Sequence, residues 1–104
     1  MKPIKLEIKT KTQQYPIIIG SNLLLNISKI IKDNSINFKK CLLVVDKNIS
    51  KKIVLKLKKS LIKKNVYVYF LKASEINKNI NTVNKILDFL LNKNFSRKDC
   101  LISV

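Results

Sequence analysis

The stretch Cys41–Asn48, CLLVVDKN, constrains this chain more than any other. Five apolar residues, mostly branched, run straight into an acid, a base and an amide. A short apolar run with polar bounds is the pattern of a strand buried on both faces, and such strands belong to parallel sheets covered by helices. The residues downstream of it keep to that plan. Ile53, Val54, Leu57 and Leu61 make a stripe of helical spacing with lysines opposite, predicting a helix that runs to about Lys64. Val66–Leu71, VYVYFL, has the β-branched and aromatic content of a strand. Val83, Ile86, Leu87, Leu90 and Leu91 predict a helix over 82–93, and Cys100–Val104 begins another buried strand. The order β-α-β-α-β argues for a parallel sheet with right-handed crossovers.

The segment before Cys41 reads differently. Ile4, Leu6 and Ile8 alternate with charged residues, which predicts a strand with one wet face. A polar turn over 10–14 leads to a second strand over 15–19, with Pro16 near its start or on an edge. Gly20, the single glycine, is expected to free the backbone for a turn into a helix capped by Ser21. Leu23, Leu24, Ile27, Ile30 and Ile31 give that helix its stripe, and 33–40 reads as a polar loop. No composition break divides the 104 residues, so one domain is expected.

Composition removes several classes of function. The N-terminus lacks the continuous apolar region of a signal peptide, and no apolar run approaches the roughly 18–20 residues of a spanning helix, so a cytoplasmic location without a membrane partner is expected. There is no histidine, and Cys41 and Cys100 sit singly in apolar runs, which makes a zinc site within this chain improbable. The net charge of +16 suggests polyanion binding. Against that, all but one of the 22 basic residues are lysine, the exception being Arg97, and they are spread along the whole chain. Lysine lacks the bidentate fork that base and phosphate recognition favours. Together with abundant Asn and Ile, the pattern fits codon drift in an AT-rich genome, and no specific nucleic acid is expected. A small basic polyanion-binding protein remains the alternative from another class. Against such drift the six acids, Glu7, Asp33, Asp46, Glu75, Asp88 and Asp99, gain interest.

Ligands of open α/β sheets bind at the carboxyl ends of the strands. The turn DKNIS after the first buried strand stands there, yet it holds neither the dinucleotide fingerprint nor a phosphate-binding loop. Polar recognition is what remains. Asp46 suits a ribose hydroxyl, while Asn48 offers an amide or caps the next helix, a role open also to Ser50. Glu75 and Lys78 lie in the loop after VYVYFL, on the same edge, as ligand groups or as a solvated surface pair. No nucleophile–base arrangement is visible, so no catalytic residue is expected here.

YPIIIG near residue 15, then CLLVVDKNIS, then the run to Val104 with its Glu-x-x-Lys loop at Glu75 and Lys78, resembles the N-terminal third of 3-dehydroquinate synthase. Ser74 stands where that family usually has a glycine. The resemblance implies a three-layer, Rossmann-like α/β fold, a mostly parallel sheet with flanking helices, cut off before the glycine-rich loop. It also implies that 1–104 is an incomplete N-terminal NAD-binding domain without the C-terminal helical domain for metal and substrate. By position, Asp46, Asn48, Glu75 and Lys78 are the residues expected to hold the adenosine side of NAD. The family implies a lyase of the shikimate pathway for aromatic amino acids. It eliminates phosphate from 3-deoxy-D-arabino-heptulosonate 7-phosphate and cyclises the product to 3-dehydroquinate. NAD and a divalent metal, zinc or cobalt, are its cofactors, the metal ligands fall outside this chain, and the full enzyme is expected to be a homodimer. Such a fragment is expected to be inactive alone. Related NAD(P)-dependent glycerol-1-phosphate dehydrogenases and iron-type alcohol dehydrogenases are the near alternatives.

Overall fold

The computed structural model describes residues 3–61 and 64–104. Two sheets are present among them. Strands β1 (Ile4–Lys9) and β2 (Gln14–Ile19) form an antiparallel hairpin in which Ile4 faces Ile19, Leu6 faces Ile17 and Ile8 faces Tyr15. Strands β3 (Lys40–Asp46), β4 (Asn65–Leu71) and β5 (Cys100–Ser103) form a parallel sheet in the order β4-β3-β5. The parallel sheet expected from the β-α-β-α-β order is thus present, with CLLVV as its central strand, while the hairpin stands apart as a sheet of its own.

The central strand is buried on both faces because alternate side chains meet different helices. Cys41, Leu43 and Val45 join Val54, Leu57 and Leu61 of helix α2 (Lys51–Ser60) and its C-terminal end in one core. Ile27 and Ile31 of helix α1 (Ile27–Asp33) pack against the same core. Leu42, equally inaccessible, points the other way. On that face Tyr67 and Tyr69 of β4 meet Phe89 of helix α3 (Ile80–Asn92) edge to face, with ring centroids 6.2 and 5.7 Å apart. Helices on both faces of the sheet give the three layers.

Local chemistry sets the helix limits. The Ser50 hydroxyl accepts from the Lys52 N–H at 3.2 Å and caps α2, so Ser50 rather than Asn48 starts the helix. This helix ends at Ser60, short of the expected Lys64. The Asn79 side chain accepts from the Thr82 N–H at 3.0 Å and starts α3 two residues before the expected position.

The first helix departs most from expectation. Its stripe splits into a 3₁₀ turn over Leu23–Asn26 and the seven-residue α1. The left-handed residue at its start is Asn22, at φ 57°, and Ser21 does not cap it. Gly20 has no positive φ, and its lack of a side chain serves close approach instead. A Cβ there would lie 3.1 Å from the Pro3 Cα. The supposed loop 33–40 also hides a core residue, since Phe38 is buried. Nor does the hairpin have a single wet face: Ile4, Leu6, Tyr15, Ile17 and Ile19 stay exposed on the side expected to be covered.

Candidate functional site

The carboxyl edge of the parallel sheet gathers the four residues singled out in the sequence. Register brings Asp46 of β3 level with Leu71 of β4, so both strands end together. The edge is stitched to both neighbours of β3. The Lys47 N–H donates to the Leu71 carbonyl at 2.9 Å, and the Asp46 N–H donates to the Val104 carbonyl at 3.2 Å. Asp46 therefore stands at the tip of the central strand, partly buried and with a fixed backbone.

Its carboxylate organises the two loops beside it. Oδ1 accepts from the Asn48 N–H at 3.3 Å, an Asx turn closing on the residue two ahead. The same oxygen accepts from the Ala73 N–H at 3.4 Å, at the start of the loop that leaves β4. Both bonds fall on one oxygen, which leaves Oδ2 as an acceptor along the edge. The Asn48 side chain is exposed and does not cap α2.

Glu75 and Lys78 follow in the β4–α3 loop. The Lys78 Nζ lies 3.1 Å from Glu75 Oε1, and their side chains are 75% and 87% exposed respectively. A pair this open contributes little to stability, so the fold does not need it. The loop is shaped by its backbone and amides instead. Asn77 donates through Nδ2 to the Lys72 carbonyl at 2.7 Å, and its N–H donates to the Ser74 carbonyl at 3.1 Å. Ser74, in the place of a glycine, has no left-handed backbone here, so its side chain brings no strain. Its hydroxyl accepts from the Asn77 N–H at 3.3 Å and adds to the turn.

The opposite edge holds two cavities, which no residue of the sequence-derived site lines. One, of about 730 Å³, lies among α1, the end of α2 and Phe38. The other, of about 550 Å³, is lined by Lys39, Lys40, Lys64, Lys98 and Asp99 among others. Two of its cations serve the fold. Lys64 Nζ donates to the Phe38 carbonyl at 2.7 Å, and Lys40 Nζ donates to the carbonyls of Lys93 and Asn94 at 3.0 and 2.9 Å. Asp99 binds the Ser96 N–H at 2.8 Å and the Lys40 N–H at 3.1 Å, tying the turn before β5 to the start of β3. Those N–H donors, Ser96 first, hold its carboxyl below the ordinary carboxylate value. Sequence reasoning noted Asp99 only as one of six acids; its i, i+3 spacing to Ser96 was the available signal.

Cys41 and Cys100 are register partners in adjacent strands, both free thiols. Burial pushes the Cys41 thiol up to about 12 and raises Cys100 as well. Among the described residues no three of His, Cys, Asp and Glu come together as a metal site.

No family model matches the chain. Over 101 residues, 97% of its length, it is 52% identical to the 3-dehydroquinate synthase of Pelagibacter ubique. The similarity to 3-dehydroquinate synthase thus runs over nearly the whole of this chain. It is also 37% identical over 89 residues, 85% of its length, to a bifunctional 3-dehydroquinate synthase/phosphatase of Fusobacterium nucleatum. The chain spans 27% of the first relative and 13% of the second. Among solved structures, 2-deoxy-scyllo-inosose synthase complexed with carbaglucose-6-phosphate, NAD+ and Co2+ matches with a TM-score of 0.79 at 15% identity, covering 94% of this chain and 26% of that one. A second structure of that enzyme has the same TM-score and covers 28% of that chain. At this identity the likeness establishes the fold, a Rossmann-like α/β arrangement. No helix among the described residues is long and apolar enough to cross a membrane.

Proposed function

We propose that this chain supplies the adenosine side of the NAD-binding α/β domain of a 3-dehydroquinate synthase. The whole enzyme would convert 3-deoxy-D-arabino-heptulosonate 7-phosphate to 3-dehydroquinate with loss of phosphate. The observation that carries this reading is the 52% identity over 97% of the chain. It favours the synthase over the related dehydrogenases. On this reading Asp46 Oδ2 accepts from a ribose hydroxyl, the position an acid takes near the strand end of nucleotide folds. Asn48 offers its exposed amide beside it. Glu75 and Lys78 can exchange their mutual contact for ligand groups at small cost, because the pair is so open.

NAD supplies a reversible hydride acceptor when bound, and this chain's part is to seat and orient its adenosine half. The turn after β3 has no glycine to bring backbone against phosphate, so the pyrophosphate would be held by another part of the enzyme. The same applies to the divalent metal, for which the described residues offer no donor set. We read the +16 charge as compositional drift, the location as cytoplasmic and the full enzyme as a homodimer.

The test is a chimera in which these 104 residues replace the matching segment of the Pelagibacter enzyme. With NAD and a divalent metal it is expected to release phosphate from the heptulosonate phosphate. Asp46→Ala in that chimera should weaken NAD binding by about 1–3 kcal/mol, the cost of leaving a polar partner unpaired, measured by calorimetric titration. A folded chimera without turnover would sink the reading, and unchanged NAD affinity would remove Asp46 from the site.

A further inference from the structure

The amino edge concentrates positive charge that the fold does not use up. Lys39 and Lys40 at the start of β3, Lys64 before β4 and Lys98 in the turn before β5 come from three separate segments, and all four line the cavity of about 550 Å³. Two of their ammonium groups are pinned. Lys64 Nζ donates to the Phe38 carbonyl and lies 4.9 Å from the centre of the Phe38 ring. Lys40 Nζ donates to the carbonyls of Lys93 and Asn94, just past α3, and lies 5.9 Å from the centre of the Phe95 ring. An ammonium group has three N–H donors, so these bonds leave two on Lys64 and one on Lys40. Lys39 and Lys98 are exposed. The one acid in the lining, Asp99, gives one oxygen to the Lys40 N–H and the other to the Ser96 N–H. Among the described residues none of the four ammonium groups forms an ion pair.

We propose that this cavity is a binding site for a small, multiply charged phosphate anion. Like charges gathered in one concavity repel one another and focus the field there, so a multivalent anion gains more here than over lysines scattered on open surface. Lys40 and Lys64 are held by the fold before any ligand arrives, which removes the ordering cost that weakens recognition by free lysines. The chemistry favours a phosphate group over nucleic acid. The lining offers ammonium point charges and no arginine fork for base edges. Phe38, only 6% exposed, gives a base no face to stack on. The cavity has room for a diphosphate group with water around it. Compositional drift explains how many lysines the chain has, while their convergence on one concavity is the work of the fold. The inference draws nothing from the reading of the carboxyl edge.

The test titrates inorganic pyrophosphate into the 104-residue chain at about 0.15 M salt, where scattered surface charges are largely screened. One anion per chain and a Tm that rises with its concentration are expected. Lys39→Gln combined with Lys98→Gln should weaken binding roughly tenfold or more, the loss of charge-assisted hydrogen bonds. The Tm without anion should stay as it was, since both side chains are exposed. Lys11→Gln combined with Lys85→Gln removes the same charge from the hairpin turn and α3 and should leave the affinity unchanged. Ribose 5-phosphate titrated in parallel separates two sources of the phosphate group, and either ligand bound through Lys39 and Lys98 supports the site. Tighter pyrophosphate assigns it to a free anion, a tighter sugar ester to a phosphorylated metabolite. Absence of saturation, equal loss in the two double variants, or no loss in either would overturn the proposal. So would a single-stranded oligonucleotide that binds more tightly than pyrophosphate through the same two lysines, since the surface would then be an extended polyanion track.

Discussion

Asp46 and Asp99 are both acids at the ends of parallel strands, and the contrast between them turns on which end. Asp99 spends both oxygens on backbone N–H groups at the amino edge. Asp46 spends one oxygen at the carboxyl edge and keeps the other. Because its folded pKa is depressed, Asp99 contributes stability above the ordinary carboxylate pKa. That contribution is lost as pH falls through the lower folded value. Asp99→Asn should therefore be less stable than wild type at neutral pH, and the difference should shrink in acid, followed by urea denaturation across pH. For Cys41 the sign reverses at the other end of the scale. Its folded pKa is raised from 9.0 to about 12, so its contribution is complete below pH 9 and lost as pH climbs toward 12. Neutral and buried, the Cys41 thiol should resist alkylation at pH 8 in the native chain and react once the chain is unfolded, which mass spectrometry can follow.

At the scale of elements, α2 shows how a stripe and a cap divide their work. Leu57 is fully buried and Ser50 caps the exposed start. Leu57→Ala should cost about 2–5 kcal/mol, the transfer of the lost methyl groups plus the cavity left in a core with few alternatives. Ser50→Ala should cost about 1 kcal/mol. Chemical denaturation of the two variants would check the ranking, and a Ser50→Ala effect as large as that of Leu57→Ala would contradict it. Helix α3 is the opposite case. It is longer, yet none of its residues is fully buried, since it meets the sheet along one side through Phe89. Its stripe was as legible in the sequence as that of α2. Periodicity reports which residues seek cover, and it does not report how much of that cover a neighbour provides.

For the whole molecule the carboxyl edge is, on the proposed reading, one part of a site. Asp46 with its loop contacts, Asn48 and the Glu75–Lys78 pair stand on one side of the sheet, while the two cavities lie at the amino edge. A lone chain with this edge should show no turnover of the heptulosonate phosphate under conditions in which the chimera is active, measured by phosphate release. Activity from the chain alone would contradict the division of labour proposed for it.

The main sheet was legible because its strands and helices announce themselves locally, CLLVV by an unbroken apolar run and α2 and α3 by their stripes; the candidate site was proposed from polar residues just past two strand ends. Chain order and crossover handedness did the rest, bringing Asp46 and Glu75 to one edge although they are far apart in sequence. Other features needed the tertiary structure. Phe38 looked like part of a polar loop because one aromatic residue among lysines and asparagines has no periodicity to betray it. The need for glycine at position 20 came from the approach of Pro3 and not from the backbone angle the sequence suggested. The choice between Asn48 and Ser50 as cap was settled by which oxygen reached an N–H group. Sequence by itself determined which segments would be strands and helices, since that depends on the order of neighbouring side chains. Only the tertiary structure decided which apolar faces found a partner, since that depends on what the rest of the fold places opposite them.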